Sequence, residues 1–317
     1  MFTTQTGTDI LVAASFLQQG QCVGIPTETV YGLAANALNE DAVLNIFETK
    51  QRPKFDPLIV HTHNIESLKE FVEYIPEKAA LLMKAYCPGP ITFLLKKKDC
   101  IPDLVTAGLD TVAVRIPNHP VTLALLQQID FPLAAPSANP FGYVSPTNAK
   151  HVHDQLHGKI PYILDGGAAN IGVESTIVGF DKDEVIVYRL GGLAINLVEK
   201  ITGSVSIKLN ESSNPKSPGM LKSHYAPLKK LIYNSNKLIT GKKTAVIAFD
   251  KYIDGYAKES QYLLSPSGDL QEAARNLFAT MRKLDNSDAE LIIAIQFPDE
   301  GLGAAINDRL KRAAANE

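Results

Sequence analysis

The chain is poor in cysteine, has no marked excess of charge of either sign and contains no long apolar run, and each shortage removes a class of function. Its three cysteines, Cys22, Cys87 and Cys100, never fall in a C-x-x-C spacing. Neither a disulfide framework nor a zinc ribbon is indicated, and a reducing compartment is expected. A formal net charge of -3 lacks the electrostatic footprint of a protein that grips nucleic acid over its whole surface, which leaves room only for a local basic cleft. Nothing approaches the roughly 20 apolar residues of a membrane helix. The opening residues, MFTTQTGTDILVAASFLQQG, hold no Lys or Arg for the start of a signal peptide, so a cytoplasmic protein without membrane contact is expected.

The signatures of several familiar catalysts are missing as well. GKKT at 241 to 244 lacks the upstream glycine of a P-loop, and there is no G-x-G-x-x-G, H-E-x-x-H or G-x-S-x-G. A nucleotide, if bound, is not held by a P-loop. His153 and His157 stand four apart on an expected helix, but no third ligand accompanies them, so solvent-facing side chains are the better reading. His61 and His63 share a strand face without a Cys or His partner nearby.

What is present is an ordinary globular composition, 45% hydrophobic and 21% charged over 317 residues, enough for one large domain and a smaller one. Ile10, Leu11, Ala14 and Leu17 repeat with a helical period before Gly20 breaks the pattern. Asn39 can cap a helix whose apolar face is Val43, Leu44, Ile46 and Phe47, with Pro53 as its stop and Lys50 and Arg52 at its end. PLIVH (57–61), ITFLLKKK (91–98), TVAVRIP (111–117), FPLAAPS (131–137), YILD (162–165), STIVGF (175–180) and VIVYRL (185–190) read as strands. Helices at 77–85, 120–128 and 146–156 alternate with some of them, which favours an α/β domain with a mixed sheet over a regular doubly wound one.

Beyond ITGS the composition turns to Ser, Asn, Pro and Lys without a period, a connection too long for an ordinary loop. The expected division is a catalytic domain at 1–205, a linker at 206–230 and a small C-terminal α/β domain, Rossmann-like, at 231–317. In the last, Leu270, Ala274, Leu277, Phe278 and Met281 form one apolar helix face.

Polar residues collect at strand ends, where ligands of α/β sheets bind: Thr27, Thr29, Arg115, Ser137, Asn139, Ser145, Ser175 and Arg189. Most have plain readings too. Lys50 can complement a helix dipole, Ser145 before Pro146 resembles an N-cap, and Thr27 suits a turn. Arg115 resists this, because a guanidinium inside the apolar VAVRIP needs a buried partner or an anionic ligand.

In order along the chain, PTETVYGL, K-x-R-P leading to PLIVH, SAN followed by SPT, STIV, and finally SPGM with HYAP resemble the L-threonylcarbamoyladenylate synthase family, in its longer form with a YrdC-type domain and a C-terminal domain. The resemblance implies a YrdC-type twisted mixed sheet with helices. It implies an enzyme that joins L-threonine, bicarbonate and ATP, with Mg2+ on the phosphates, to give threonylcarbamoyl-AMP and pyrophosphate. A downstream tRNA threonylcarbamoyl transferase then modifies the adenosine just after the anticodon, and contact with tRNA itself is a further expectation.

Carried over residue by residue, Thr29, His61, Arg115 and Ser175, with the backbone at Ala135, are expected on threonine. Arg52, Asp56, Thr111, Ser137, Ser145 and Arg189 are expected on ATP, with Tyr225 of HYAP reaching back from the linker. Lys50, Arg52 and Arg115 supply charge stabilisation, with no side-chain nucleophile and no protein metal ligand. The chain departs from the family at Gln51, where glycine is frequent, at Ala34, and at Asp56, a carboxylate near phosphates that would need a metal or a proton. Two other readings stay open: an RNA-binding protein of the same fold without synthase activity, and a carbamoyl transfer enzyme with another acceptor.

Overall fold

The structure is a computed structural model that describes residues 3–209, 217–219, 221, 223–234, 239 and 242–315. Its larger part is built on one mixed sheet. In chain order the strands are β1 (Gln5–Gly7), β2 (Val23–Ile25), β3 (Gly32–Asn36), β4 (Ile59–His61), β5 (Ile91–Lys96), β6 (Thr111–Arg115), β7 (Leu133–Ala134), β8 (Tyr162–Leu164), β9 (Thr176–Asp181), β10 (Glu184–Arg189) and β11 (Ser206–Ile207). They lie side by side as β1-β8-β2-β3-β7-β4-β6-β5-β9-β10-β11. Parallel pairs such as β4 with β6 and antiparallel pairs such as β5 with β6 alternate irregularly, as the mixture of helices and strands in the sequence predicts.

The helices are α1 (Ile10–Gln18), α2 (Glu40–Lys50), α3 (Ile65–Lys69), α4 (Glu77–Tyr86), α5 (Asp103–Thr106), α6 (Pro120–Leu126), α7 (Ala149–Leu156) and α8 (Ile195–Thr202). Asn39 caps α2 through Ala42 N, and the helix ends where Gln51 turns left-handed, two residues before Pro53. The expected start of α7 at Pro146 shifts to Ala149. Asn148, not Ser145, is its N-cap and accepts from His151 N. FPLAAPS forms a regular strand only at Leu133 and Ala134, with Ser137 adding an isolated bridge to Gly32, because Pro132 and Pro136 have no N–H to give a ladder. β3 was not legible in GLAAN, since alanine and glycine have little strand preference.

Strand alternation sorts the central side chains onto two faces. Val60, Phe93, Leu95, Val112, Val114 and Val178 join the main core with Val43, Ile46 and Phe47 of α2 and Leu82 and Met83 of α4. The alternate residues Ile59, Leu94, Ala113 and Ile177 form a small cluster on the opposite face. His61 and Arg115 share that second face by parity, and the β4–β6 register sets them side by side.

The C-terminal part has a separate parallel sheet ordered β12-β15-β13-β14, from β12 (Leu231–Tyr233), β13 (Thr244–Ala248), β14 (Gln261–Leu263) and β15 (Leu291–Ala294). The helices α9 (Leu270–Asp285) and α10 (Gly303–Ala313) complete it. Its core is continuous with the larger part: Val30, Val144, Val173 and Tyr225 lie in one buried cluster with Leu277, Phe278 and Ile306. Ser206 and Ile207, at the start of the expected linker, pair with Ile186 and Val187. Of the rest of that segment, residues 210–216, 220 and 222 lie outside the described residues.

Candidate active site

At the strand ends on the second face, beside the Pro218–Gly219 turn and His224–Tyr225, lies a cavity of about 50 Å³. Its walls bring together Thr29, Arg52, His61, Arg115, Ala135, Ser137, Ser175, Arg189 and Tyr225, residues scattered over the whole catalytic part and its linker. Thr27 also lines it, its hydroxyl 2.8 Å from that of Thr29 and donating to Val30 O at 2.6 Å.

Arg189 reaches this face through a bulge. Val185 and Val187 point into the main core, so strict alternation would send Arg189 the same way. The register instead shifts between Val187 and Arg189, and Arg189 comes to lie opposite Ile177, re-aimed as bulges commonly re-aim side chains beside functional sites. Its guanidinium donates to Ser175 O at 2.9 Å, Ser175 Oγ at 3.0 Å and Pro218 O at 3.1 Å. The Ser175 hydroxyl also lies 2.7 Å from that of Thr92. The turn after β10 lies against the backbone before β9 because Gly191 is there: a Cβ would sit 2.3 Å from Glu174 O.

The other two arginines are paired with carboxylates. Arg52 lies 2.9 Å from Asp56 and also donates to Asp56 O at 3.1 Å and Pro57 O at 2.8 Å. Asp56 is buried behind the wall; burial pushes its carboxyl up, while Arg52, Lys50 and Arg189 pull it back. Arg52 is the buried charge partner of this carboxylate. Arg115 has the buried partner its strand demands, Glu28 of PTET, at 2.8 Å.

Lys50 is buried and does not line the cavity; its ammonium donates to the carbonyls of Ser137 and Asn139, fixing the loop after β7. Ser145 is likewise behind the wall, donating to Glu174 Oε1 at 2.5 Å. Thr111 stands at the other end of β6, about 13 Å from Arg115 at the usual rise per strand residue. Burial first, and then Arg52, push the Lys50 amine well below its ordinary range. Among the described residues, the cavity-lining Arg189 has no carboxylate within ion-pair distance, a poorly solvated cation that favours an anion.

His61 is uncharged here. Burial first, and then Arg115, lowers its imidazole to about 3, and its Nδ1 lies 3.1 Å from Ile59 O. Among the described residues, no cavity-lining hydroxyl is bonded to a histidine and no group of His, Cys, Asp and Glu forms a metal cluster. Glu28, Glu174 and Thr92 were not singled out in the sequence. Glu28 had a signal there, as a carboxylate in the quoted motif able to answer Arg115.

The chain is similar to known proteins over nearly its whole length. The Sua5/YciO/YrdC family model, described as telomere recombination, matches residues 15–191. The model of the C-terminal domain of threonylcarbamoyl-AMP synthase matches residues 193–315. The threonylcarbamoyl-AMP synthase of Pyrococcus abyssi is 41% identical, covering 96% of this chain and 94% of its own. That of Bacillus subtilis is 40% identical, covering 96% and 92%. The crystal structure of P. abyssi Sua5 complexed with L-threonine superposes with a TM-score of 0.90 at 38% identity, over 99% of this chain and 97% of that one. E. coli YciO, at 22% identity and a TM-score of 0.52, shares the fold over 60% of this chain. The chain belongs to the threonylcarbamoyl-AMP synthase family, in the form that carries a C-terminal domain.

Proposed function

We propose that this cavity joins L-threonine, bicarbonate and ATP into threonylcarbamoyl-AMP and pyrophosphate, in the cytoplasm, for a downstream transferase that modifies the tRNA adenosine following the anticodon. The observation that carries the reading is the ring of Arg52, Arg115 and Arg189 around one cavity, with Arg189, among the described residues, held on neutral acceptors. Three negatively charged substrates repel one another, and preorganised cations offset that repulsion without reorganisation during the reaction. The L-threonine complex of the P. abyssi relative supports threonine as a substrate.

In this reading Arg115 and Ser175 hold the threonine carboxylate, and Thr29 and neutral His61 contact its side chain. An uncharged imidazole adds a polar contact without competing with Arg115 for the carboxylate. The neutral threonine amine attacks bicarbonate carbon, and loss of water leaves a carbamate. A carbamate oxygen then attacks the α-phosphorus as pyrophosphate departs in line. Arg52 and Arg189 face the phosphates, and Lys50 holds the Ser137 loop against them. Glu28, Asp56 and Glu174 are each paired to an arginine, so they do not fit a magnesium cage; Mg2+ is part of the Mg–ATP substrate.

A cavity of about 50 Å³ is far below the several hundred Å³ of ordinary ligand sites. Tyr225 and the Pro218–Gly219 turn are the wall that must move for ATP to enter, and in place over it they exclude water from a labile product. The test is pyrophosphate release from ATP with threonine and bicarbonate each supplied or omitted, and mass analysis of the nucleotide product. Release that needs both, with threonylcarbamoyl-AMP detected, supports the reading. Release that ignores threonine overturns it.

A further inference from the structure

The C-terminal helix α10 sends one side chain into the catalytic part. Arg309 is fully buried, and each contact of its guanidinium has a different destination. Nε donates to Glu174 Oε2 at 2.8 Å, Nη2 to Leu190 O at 2.8 Å and Nη1 to Asp308 Oδ2 at 2.7 Å. The carbon of the guanidinium lies 4.9 Å from the centre of the Tyr225 ring. Glu174 precedes Ser175, Leu190 follows Arg189, and the second oxygen of Glu174 accepts from Ser145.

A helix that only closed the small domain would gain more from leucine or methionine at this position. Burying a guanidinium costs several kcal/mol before its partners repay it, and apolar replacements of buried ion pairs are often neutral or stabilising. What the arginine provides is a fixed geometry among three separate segments. The threonine-side groups do not touch it: Arg115 is held by Glu28 and Gly89 O, and the Ser175 hydroxyl, next in the chain to Glu174, by Thr92 and Arg189. Tyr225 and the Ser145–Glu174 pair touch it directly or through one bond.

We propose that Arg309 is a positioning residue for the nucleotide half of the site: it sets the ring of Tyr225 and the Glu174–Ser145 pair, so that the C-terminal domain completes the catalytic cavity. The proposal rests on the synthase reading for its substrate. It assigns the C-terminal domain a part in the reaction that the strands and loops of the catalytic part do not supply alone.

The experiment uses the full chain and three forms, wild type, R309K and the double variant E174L/R309M. Mg–ATP affinity is measured at equilibrium, and KM for ATP and for threonine by pyrophosphate release. Lysine keeps the charge that Glu174 needs, so R309K should fold, but an ammonium cannot serve the three acceptors and the ring together. R309K should weaken Mg–ATP binding and raise the ATP KM by about tenfold while the threonine KM stays within about twofold. E174L/R309M should recover thermal stability without recovering ATP affinity. The proposal is overturned if R309K binds ATP like the wild type, if both KM values move together with the melting temperature, or if the double variant restores ATP affinity. A wild type without threonine-dependent release would instead overturn the synthase reading, and the binding measurement still decides the role of Arg309.

Discussion

Arg115 and Glu28 form a buried ion pair, Nη2 to Oε2 at 2.8 Å, between the end of a central strand and the loop after β2. Both side chains are almost wholly inside the protein, so the pair both satisfies the strand and aims the guanidinium into the cavity. Removing one member leaves a buried charge uncompensated, which typically costs 3–5 kcal/mol, roughly. Arg115→Ala is therefore expected to lose threonine-dependent pyrophosphate release and also to melt early. Arg115→Met combined with Glu28→Gln should recover most of the stability and none of the threonine dependence. Turnover that returned in the double variant would show that the arginine serves only the strand.

Gly219 stands at a φ of +80° in the turn of SPGM, and a Cβ there would meet Tyr225 Oη at 2.6 Å and Arg189 Cδ at 3.2 Å. Gly219→Ala adds about 1 kcal/mol of backbone strain and pushes apart the two residues that close the nucleotide side. The expected result is a drop of at least about tenfold in kcat/KM for ATP, in accord with the sensitivity of catalysis to small displacements. Product analysis should show more AMP from spilled intermediate, and Tyr225→Ala should do the same. Unchanged kinetics in Gly219→Ala would mean that the turn does not set Tyr225.

Much of this was legible in the sequence for identifiable reasons. Arg115 stood out because apolar strand neighbours left its charge unexplained; its place beside His61 was not legible, since it depends on the pairing of β4 with β6. The facing of Arg189 was not legible, since it depends on a bulge that reverses the parity set by Val185 and Val187. Arg309 was hidden for another reason. GAAINDRLKRA reads as a helix with charges on its solvent side, and only docking of that helix against Glu174 and Leu190 makes the position buried. Local patterns report faces of elements; they carry no information on which face a second domain will cover.

Lys50 gives a prediction that separates positioning from charge. Its ammonium is buried on the carbonyls of Ser137 and Asn139, at the end of α2. Lys50→Met keeps the length and apolar bulk but frees the loop. Stability should change by no more than about 2 kcal/mol, because the methionine avoids the desolvation that the ammonium suffers. Pyrophosphate release should nevertheless fall by at least about tenfold, through a loop that no longer presents Ser137. Release near the wild-type rate, with the loop carbonyls unpartnered, would remove Lys50 from the machinery.

His61 predicts an acid sensitivity of known sign. Folded, its imidazole titrates at about 3, against an ordinary 6.5. Below pH 6.5 the unfolded chain therefore takes a proton that the folded chain refuses, and stability falls as pH drops towards 3, by up to about 1.4 kcal/mol per pH unit. His151, lowered to about 4, and His224, pushed far down by burial, add slopes of the same sign. His61→Gln removes one share, so urea unfolding free energies of the variant and the wild type should converge as pH falls from 6.5 towards about 4. Parallel curves would mean that His61 accepts a proton in the folded protein. In that case, below about pH 6.5 an imidazolium would sit beside Arg115, and the threonine carboxylate would face two cations on this wall instead of one.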